Sequence, residues 1–338
     1  MIPRGLEFAL LLTALVWVCG AYATATRAAS GITTRFQLGG AQGLLESVFL
    51  LFLIVVGFRA LDWIATRGRA ADDVLRLPTR KGWPQEWLVG AAIGWGLCLA
   101  TVLPVLLSGH LHADMNWGRG SAMGMLFALA SLLVSVLAEE TVFRGYPFQR
   151  LIRIMGPSWA AVLGSVGFAA VLVFANPPQH LGLALVDGTL FGLVLAMAYL
   201  RTHALWLGWG LHFAYRAVAA VVLGLPIAGH GEFGSLTSAS VSGPRWLTGG
   251  AFGLDAALLT GLLMLGAMAV LYRATREYAW QYTHREIVAA GYEVVVAPPA
   301  AHVAMEKAAA PAPLVQILST TPQTRSVLEP YRDESSRG

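Results

Sequence analysis

The chain has 338 residues, of which 56% are hydrophobic and only 12% are charged. Soluble domains carry about 25% charged residues, so an ordinary soluble globule is excluded. The net charge of +4 requires no nucleic-acid partner, because Lys and Arg gather in the cytoplasmic loops of membrane proteins. The two cysteines, Cys19 and Cys98, lie in apolar stretches and are too few for a disulfide framework. Composition therefore favours a membrane protein, whose first partner is the lipid bilayer.

Apolar stretches predict the fold. Each is close to the roughly 20 residues that a helix needs to cross a bilayer. The fold class that follows is all-α, a polytopic transmembrane helical bundle with about eight spans. The predicted spans cover residues 6–24, 44–58, 87–107, 123–138, 159–175, 183–200, 205–223 and 254–272.

The distribution of Lys and Arg predicts the orientation. When the loops are assigned to alternate sides, 18 of the 23 basic residues fall on the side of both termini and four on the other, while Arg216 lies within a span. Cytoplasmic loops carry the excess of positive charge. The sequence thus predicts a multi-pass integral protein of the cytoplasmic (plasma) membrane with a cytoplasmic C-terminus. The first span also resembles a signal peptide, with Ala-rich triplets near residue 23.

Changes of composition along the chain predict four parts. Residues 1–119 hold N-terminal transmembrane helices and a basic cytoplasmic loop, and residues 120–222 form a core that carries most of the intramembrane charge. Residues 223–284 supply an external loop and the last transmembrane helix. Residues 285–338 are rich in Ala, Pro and polar residues, which is typical of a disordered cytoplasmic tail.

Ionisable residues inside spans are the candidate functional residues, because charge within a bilayer is costly. Glu139 and Glu140 are adjacent at the end of the fourth span, and Arg144 follows Glu140 by four residues, on the same helical face. Paired carboxylates beside one guanidinium are an arrangement suited to a general base. Asp187, His212 and Arg216 lie in later spans. We expect these charges to face one polar hollow inside the bundle.

The stretch Glu139-Glu140-Thr141-Val142-Phe143-Arg144 resembles the first motif, EExxxR, of the CPBP family, the CAAX protease and bacteriocin-processing intramembrane proteases. Downstream, Leu205-Trp206-Leu207 and Gly210-Leu211-His212 resemble the approach to the third motif, HxxxN. The likeness covers roughly residues 120–222. It implies an intramembrane endopeptidase that hydrolyses peptide bonds of membrane-associated peptides or proteins with glutamate-activated water.

Carried over by position, the resemblance implies that Glu139 is the base and that Glu140 and Arg144 support it. His212 would stabilise the oxyanion. Two departures concern the rest of the set. The second motif, FxxxH, lacks its histidine, because Phe168 is followed four residues later by Leu172. Arg216 stands where the third motif has asparagine, and its guanidinium is expected to pair with Glu139, Glu140 or Asp187.

Three functional classes therefore stay open. The chain could be an active peptidase, a pseudoprotease that binds membrane-embedded partners, or a transporter that uses the buried charges. His180 is the nearest substitute for the missing histidine. The sequence names no cofactor; a divalent metal stays open, although no HExxH zinc motif occurs.

Overall fold

A computed structural model describes residues 3–66, 68, 75–115, 119–178, 180–229 and 235–276. These residues fall within one compact unit, Met1–Arg285. The predicted tail, 285–338, and part of the basic loop lie outside the described residues. The α-helices of the described part are α1 (Arg4–Phe36), α2 (Gln42–Thr66), α3 (Trp83–Leu107), α4 (Arg119–Arg144), α5 (Tyr146–Met155), α6 (Pro157–Ala175), α7 (Leu181–Thr202), α8 (Trp206–Arg216), α9 (Arg245–Thr248) and α10 (Leu258–Ala274).

The predicted all-α bundle is confirmed. Six helical stretches of the described part are long and apolar enough to cross a bilayer: α1, Gly39–Thr66, α3, Ala122–Met155, α6 and α7. The predicted seventh span consists of the 11-residue α8 and a π-helix, Ala217–Val222. The predicted eighth span corresponds to the 17-residue α10. The count of eight spans stays a prediction.

Large apolar side chains cover the outer surface of the bundle. Phe52 and Trp63 on α2 and Trp159 and Phe174 on α6 are each more than 60% exposed. Exposed apolar surface of this extent is unfavourable in water and favourable against lipid tails. Together with the apolar helices, it makes the chain an integral membrane protein.

Glycines bring α3 and α8 into backbone contact. Gly90 and Gly94 form a small-xxx-small pair on α3, and a side chain at either position would overlap a carbonyl oxygen of α8. Gly210 on α8 meets the carbonyl oxygen of Trp87 in the same way. This contact, the α3–α8 seam, fixes the height and rotation of α8. It therefore sets the position of the functional residues on that helix.

A buried ionic cluster joins α1, α2 and α5. Arg150 of α5 is 2% exposed and donates to Glu7 of α1 at 2.9 Å and to Asp62 of α2 at 2.8 Å. Its guanidinium also lies 4.4 Å from the ring centroid of Tyr146. Buried charges are tolerated when they are paired and hydrogen-bonded. The cluster thus connects α1 and α2 to α5.

A short two-stranded sheet was not predicted. Strand β1 (Leu111–Met115) pairs antiparallel with β2 (Thr237–Val241), and His112 lies opposite Ser240. The strands connect the segment after α3 with the segment before α9. Their first residues, Leu111 and Thr237, are 126 positions apart in the sequence. Such a long-range pairing has no local sequence signal.

Candidate active site

The acidic end of α4 is fixed where that helix stops. Glu139, Glu140 and Arg144 occupy its last two turns, and Arg144 is its final residue. At the next position, Gly145, a side chain would overlap the carbonyl oxygen of Thr141. Only glycine allows the chain to turn into α5 at this point. The two carboxylates and the guanidinium therefore stay together at one helix end.

Glu140 holds His212 of α8 in one orientation. The Nδ1 atom of the fully buried imidazole lies 2.7 Å from Oε1 of Glu140. The rings of Phe168 and Phe191 meet the imidazole edge-on, with centroid distances of 5.9 and 5.1 Å. An ionised carboxylate only accepts hydrogen bonds, so we assign the hydrogen to Nδ1. In the neutral ring, Nε2 then presents a lone pair.

Arg144 supports the ionised form of Glu140. Its Nη1 atom lies 3.3 Å from Oε1 of Glu140, and its Nη2 atom donates to the carbonyl oxygen of Gly192 on α7 at 3.2 Å. The guanidinium is 2% exposed and lies 4.6 Å from the ring centroid of Phe168. A cation beside a buried carboxylate offsets the cost of that buried charge. Arg144 thus keeps Glu140 as the acceptor that orients His212.

Arg216 takes Glu139 as its partner. Its Nη1 atom donates to Oε1 of Glu139 at 2.6 Å, across the gap between α8 and α4. The Glu139 side chain is 29% exposed, whereas that of Arg216 is 10% exposed. Of the three acids that the sequence offered to Arg216, the structure selects Glu139. The bond engages Oε1 of Glu139 and leaves Oε2 as its second acceptor.

Two free acceptors face each other beside this pair. Oε2 of Glu139 lies 3.9 Å from Nε2 of His212. Neither atom has a hydrogen-bond partner among the described residues. Two acceptors cannot bond to each other, but one water can donate to both at a normal length of roughly 2.8 Å. The geometry therefore suits a bridging water between a carboxylate and an imidazole.

The position of the missing second-motif histidine lies beside this cluster. Leu172 lines a small cavity together with Asp187 and Arg216. His180 does not replace the histidine, because its Nε2 atom lies 3.3 Å from Nη1 of Arg245, the first residue of α9. The structure thus brings together the five residues chosen from the sequence, namely Glu139, Glu140, Arg144, His212 and Arg216. It leaves His180 apart from them.

The carboxylates of the cluster are placed differently from a set of metal ligands. Within the part of the chain that the structure describes, no group of three or more His, Cys, Asp or Glu side chains is placed to hold a metal ion. Oε1 of Glu139 accepts from Arg216, and Oε1 of Glu140 lies within hydrogen-bonding distance of Arg144 and His212.

Sequence reasoning missed the groups that orient the cluster. The carbonyl oxygen of Gly192 anchors Arg144, and the rings of Phe168 and Phe191 enclose His212. A backbone carbonyl carries no sequence signal. The two phenylalanines are ordinary apolar residues of transmembrane helices and become recognisable only when the helices are packed.

Comparison with known proteins finds one family model that matches the part of the chain containing this site. Residues 121–218 match the family model described as type II CAAX prenyl endopeptidase Rce1-like. No curated protein and no solved structure matches the chain. The match covers under a third of the chain and includes α4 to α8 with all five residues of the cluster. The resemblance to the CPBP family of CAAX-type intramembrane proteases is thereby confirmed for this stretch.

Proposed function

We propose that the chain is an intramembrane endopeptidase that hydrolyses peptide bonds in membrane-proximal segments of peptides or proteins. The observation that carries this proposal is the pair of free acceptors, Glu139 Oε2 and His212 Nε2, 3.9 Å apart. They adjoin a guanidinium and lie within the stretch that matches a peptidase family. A water held between them would have both of its hydrogens directed at basic atoms.

In the proposed mechanism, His212 is the general base and Glu139 positions the water. His212 Nε2 takes a proton as the water oxygen attacks the carbonyl carbon, while Glu140 stabilises the imidazolium through Nδ1. The remaining N–H groups of Arg216 would donate to the developing oxyanion. The protonated His212 then delivers its proton to the departing amine. This assignment differs from the one that the motif predicts: His212 replaces Glu139 as the base, and Arg216 replaces His212 as the oxyanion donor, because Arg216 is already bonded to Glu139.

The rate is expected to be low. A missing acid/base partner commonly reduces catalysis by about 10²–10⁴. Here the second-motif histidine is absent, and Leu172 occupies its position. We expect detectable cleavage only at high substrate occupancy and over long incubation.

A peptidase assay on the purified full chain in detergent tests the proposal. We expect His212→Gln to lower kcat by about 10²-fold or more, since the glutamine has no basic nitrogen. His203→Gln serves as the matched histidine control, because His203 lies outside the cluster at the end of α7. Cleavage by His212→Gln at the rate of the unmodified protein would contradict the mechanism.

Glutamate variants separate the two carboxylates. Glu139→Gln keeps an acceptor oxygen and is expected to lower the rate by about tenfold, whereas Glu140→Gln removes the ion that supports the imidazolium and is expected to cost about 10²-fold or more. Glu46→Gln is the matched control, since Glu46 bonds to Thr26 between α1 and α2. A Glu139→Gln loss larger than that of Glu140→Gln would assign the base to Glu139, as the family motif implies.

A binding function is the second candidate, and the bond between Arg216 and Glu139 favours it. The guanidinium lies 2.6 Å from Oε1 of Glu139, so a cation stands directly beside the carboxylate that the family motif uses as its base. The chain would then be a pseudoprotease that binds a membrane-embedded peptide segment without cleaving it. Arg216→Asn combined with Leu172→His restores the family pattern. Cleavage gained only by this double variant would favour the binding function for the natural chain.

We further propose that the protein lies in the cytoplasmic membrane with its C-terminus inside, because the loop charges favour that orientation. Reporter fusions at the C-terminus test this. Activity of a C-terminal reporter that functions only outside the cytoplasm would contradict this orientation.

The transporter alternative predicts ion flux in liposomes that Asp187→Asn abolishes.

A further inference from the structure

A small cavity lies behind Arg216, between α7, α8 and α10. Its lining includes Asp187, Tyr215, Arg216, Asp255 and Thr260, together with apolar side chains. Its volume is about 20 Å³, which holds one body of the size of a water molecule. The proposed peptidase mechanism uses none of these residues except Arg216. The cavity therefore adjoins the candidate active site at Arg216, and its other lining residues have no role in that mechanism.

Asp187 points a carboxylate at α10 without any partner for it. The residue is 2% exposed, and neither of its carboxylate oxygens has a hydrogen-bond partner in the described ranges of the chain. A side chain at Gly261 would overlap Oδ1 of Asp187, so glycine at this position makes room for the carboxylate. Next to Gly261, Thr260 is 1% exposed, and its hydroxyl likewise has no hydrogen-bond partner in the described part of the chain. Three buried oxygens thus lack hydrogen bonds beside one cavity.

Asp255 adds a second carboxylate to the lining. Its Oδ1 atom accepts from the hydroxyl of Tyr215 at 3.0 Å, and its Oδ2 atom accepts from the backbone N–H of Ala228 at 3.0 Å. Each carboxylate oxygen has a further lone pair available. The donors fix the orientation of Asp255 without neutralising its charge.

The formal charges of the connected groups do not balance. The cavity and the neighbouring cluster contain four carboxylates, those of Glu139, Glu140, Asp187 and Asp255, against the guanidiniums of Arg144 and Arg216. The first turn of α10 adds the equivalent of roughly half a positive charge. With all four carboxylates ionised, a net negative excess remains, and two of them, Glu140 and Asp187, are buried, where unpaired charge is costly. A cation in the cavity would offset that excess.

We propose that this cavity binds a single sodium ion, coordinated by the carboxylate of Asp187, the hydroxyl of Thr260 and the carboxylate of Asp255. All three supply oxygen, the donor that hard cations prefer. Calcium takes about 6–8 oxygen ligands and magnesium keeps several of its waters, whereas this site offers three oxygen-bearing side chains as ligands and room for one body of the size of a water molecule. A dehydrated sodium ion fits that space, and its single charge is less costly to bury with so few ligands.

Thermal unfolding of the purified full chain in detergent tests the site independently of any peptidase activity. At a constant ionic strength of about 0.15 M, sodium chloride is compared with choline chloride and potassium chloride. We expect sodium at about ten times the Kd to raise the melting temperature by about 2–4 °C, and the rise to grow with the logarithm of the sodium concentration. An equal rise in choline would mean charge screening and would overturn the proposal, as would an equal rise in potassium.

Variants locate the ion. Asp187→Asn is expected to abolish the sodium-dependent shift, and Glu46→Gln, the matched control in α2, to retain it. Thr260→Val preserves shape and removes one ligand, so the sodium concentration needed for a given rise in melting temperature should increase about tenfold. This second variant keeps the test valid if Asp187→Asn does not fold. A sodium shift unchanged in both variants would refute the site.

Binding of ²²Na⁺ gives the stoichiometry. We expect one ion per chain, displaced by unlabelled sodium and not by choline, and no ion bound to Asp187→Asn. Absence of bound ²²Na⁺ at saturating concentration would show that the excess charge is balanced by protons instead. Neither result depends on whether the protein cleaves peptides, so failure of the sodium site and failure of the proposed function are distinguishable.

Discussion

The α3–α8 seam makes Gly94→Ala a sensitive test of the structure. The added Cβ atom would lie 2.8 Å from the carbonyl carbon of Leu211 and would overlap its oxygen. Carbon atoms in contact lie about 3.5–4.0 Å apart, so α3 and α8 must separate by about 1 Å. The obstruction is backbone and cannot rotate away. Overpacking of this kind usually costs about 1–3 kcal/mol of the free energy of unfolding.

The same displacement reaches the candidate site, because His212 follows Leu211. The His212–Glu140 distance of 2.7 Å would lengthen to about 3.7 Å, which is beyond hydrogen-bonding range. A misplacement of about 1 Å in a catalytic group can lower the rate by about 10²-fold. We therefore expect Gly94→Ala to lose stability and activity together.

Thermal unfolding and peptide cleavage, both in detergent, measure the two effects. We expect a fall in melting temperature of about 4–8 °C for a loss of about 2 kcal/mol. Gly96→Ala is the matched control on α3, since a Cβ atom there meets nothing within 4 Å. Both variants gain the same helix propensity, so their difference isolates the contact. Equal melting temperatures for the two variants would refute the proposed backbone contact.

Three further predictions concern groups outside the α3–α8 seam. Asp62→Asn should lower the free energy of unfolding by about 3 kcal/mol, because Arg150 loses one of its buried acids; an unchanged thermal melt would contradict that ion pair. Arg144→Lys should reduce peptide cleavage about tenfold, since an ammonium cannot contact both the carbonyl oxygen of Gly192 and a carboxylate as the planar guanidinium does; wild-type kcat would argue against this anchoring. Burial and two nearby arginines lower the pKa of His203 in the folded protein. As the pH falls, His203 is therefore protonated in the unfolded chain at a higher pH than in the folded one, and the free energy of unfolding should decrease as the pH drops through about 6.5. The His203→Asn variant should lose less stability than the natural protein over that range, and parallel pH profiles would contradict the prediction.

Helical periodicity was sufficient to predict part of the site. The i, i+4 spacing places Arg144 beside Glu140, and the structure has that contact at 3.3 Å. Apolar run length likewise predicts the long helices, because a span needs a fixed number of residues. These inferences use distances within one helix, which the sequence determines directly.

Contacts between helices could not be predicted in the same way. The sequence left three acids as possible partners of Arg216, and only the packing of α8 against α4 selects Glu139. The seventh apolar stretch changes from α-helix to π-helix at Ala217, a change that composition does not reveal. The orientation of His212 also depends on packing, since Glu140 lies 72 positions away. Its expected role as an oxyanion donor therefore shifts to that of a base in the proposed mechanism.

The buried cluster around Arg150 constrains the order of biogenesis. Glu7 and Asp62 are synthesised long before the cation that neutralises them, with 143 and 88 positions separating each acid from Arg150. Until the ribosome has delivered α5, the first two helices hold acidic side chains without their counter-charge. Their lateral release into lipid is consequently expected to wait for the later segment, so that helices far apart in the sequence enter the bilayer as one assembly.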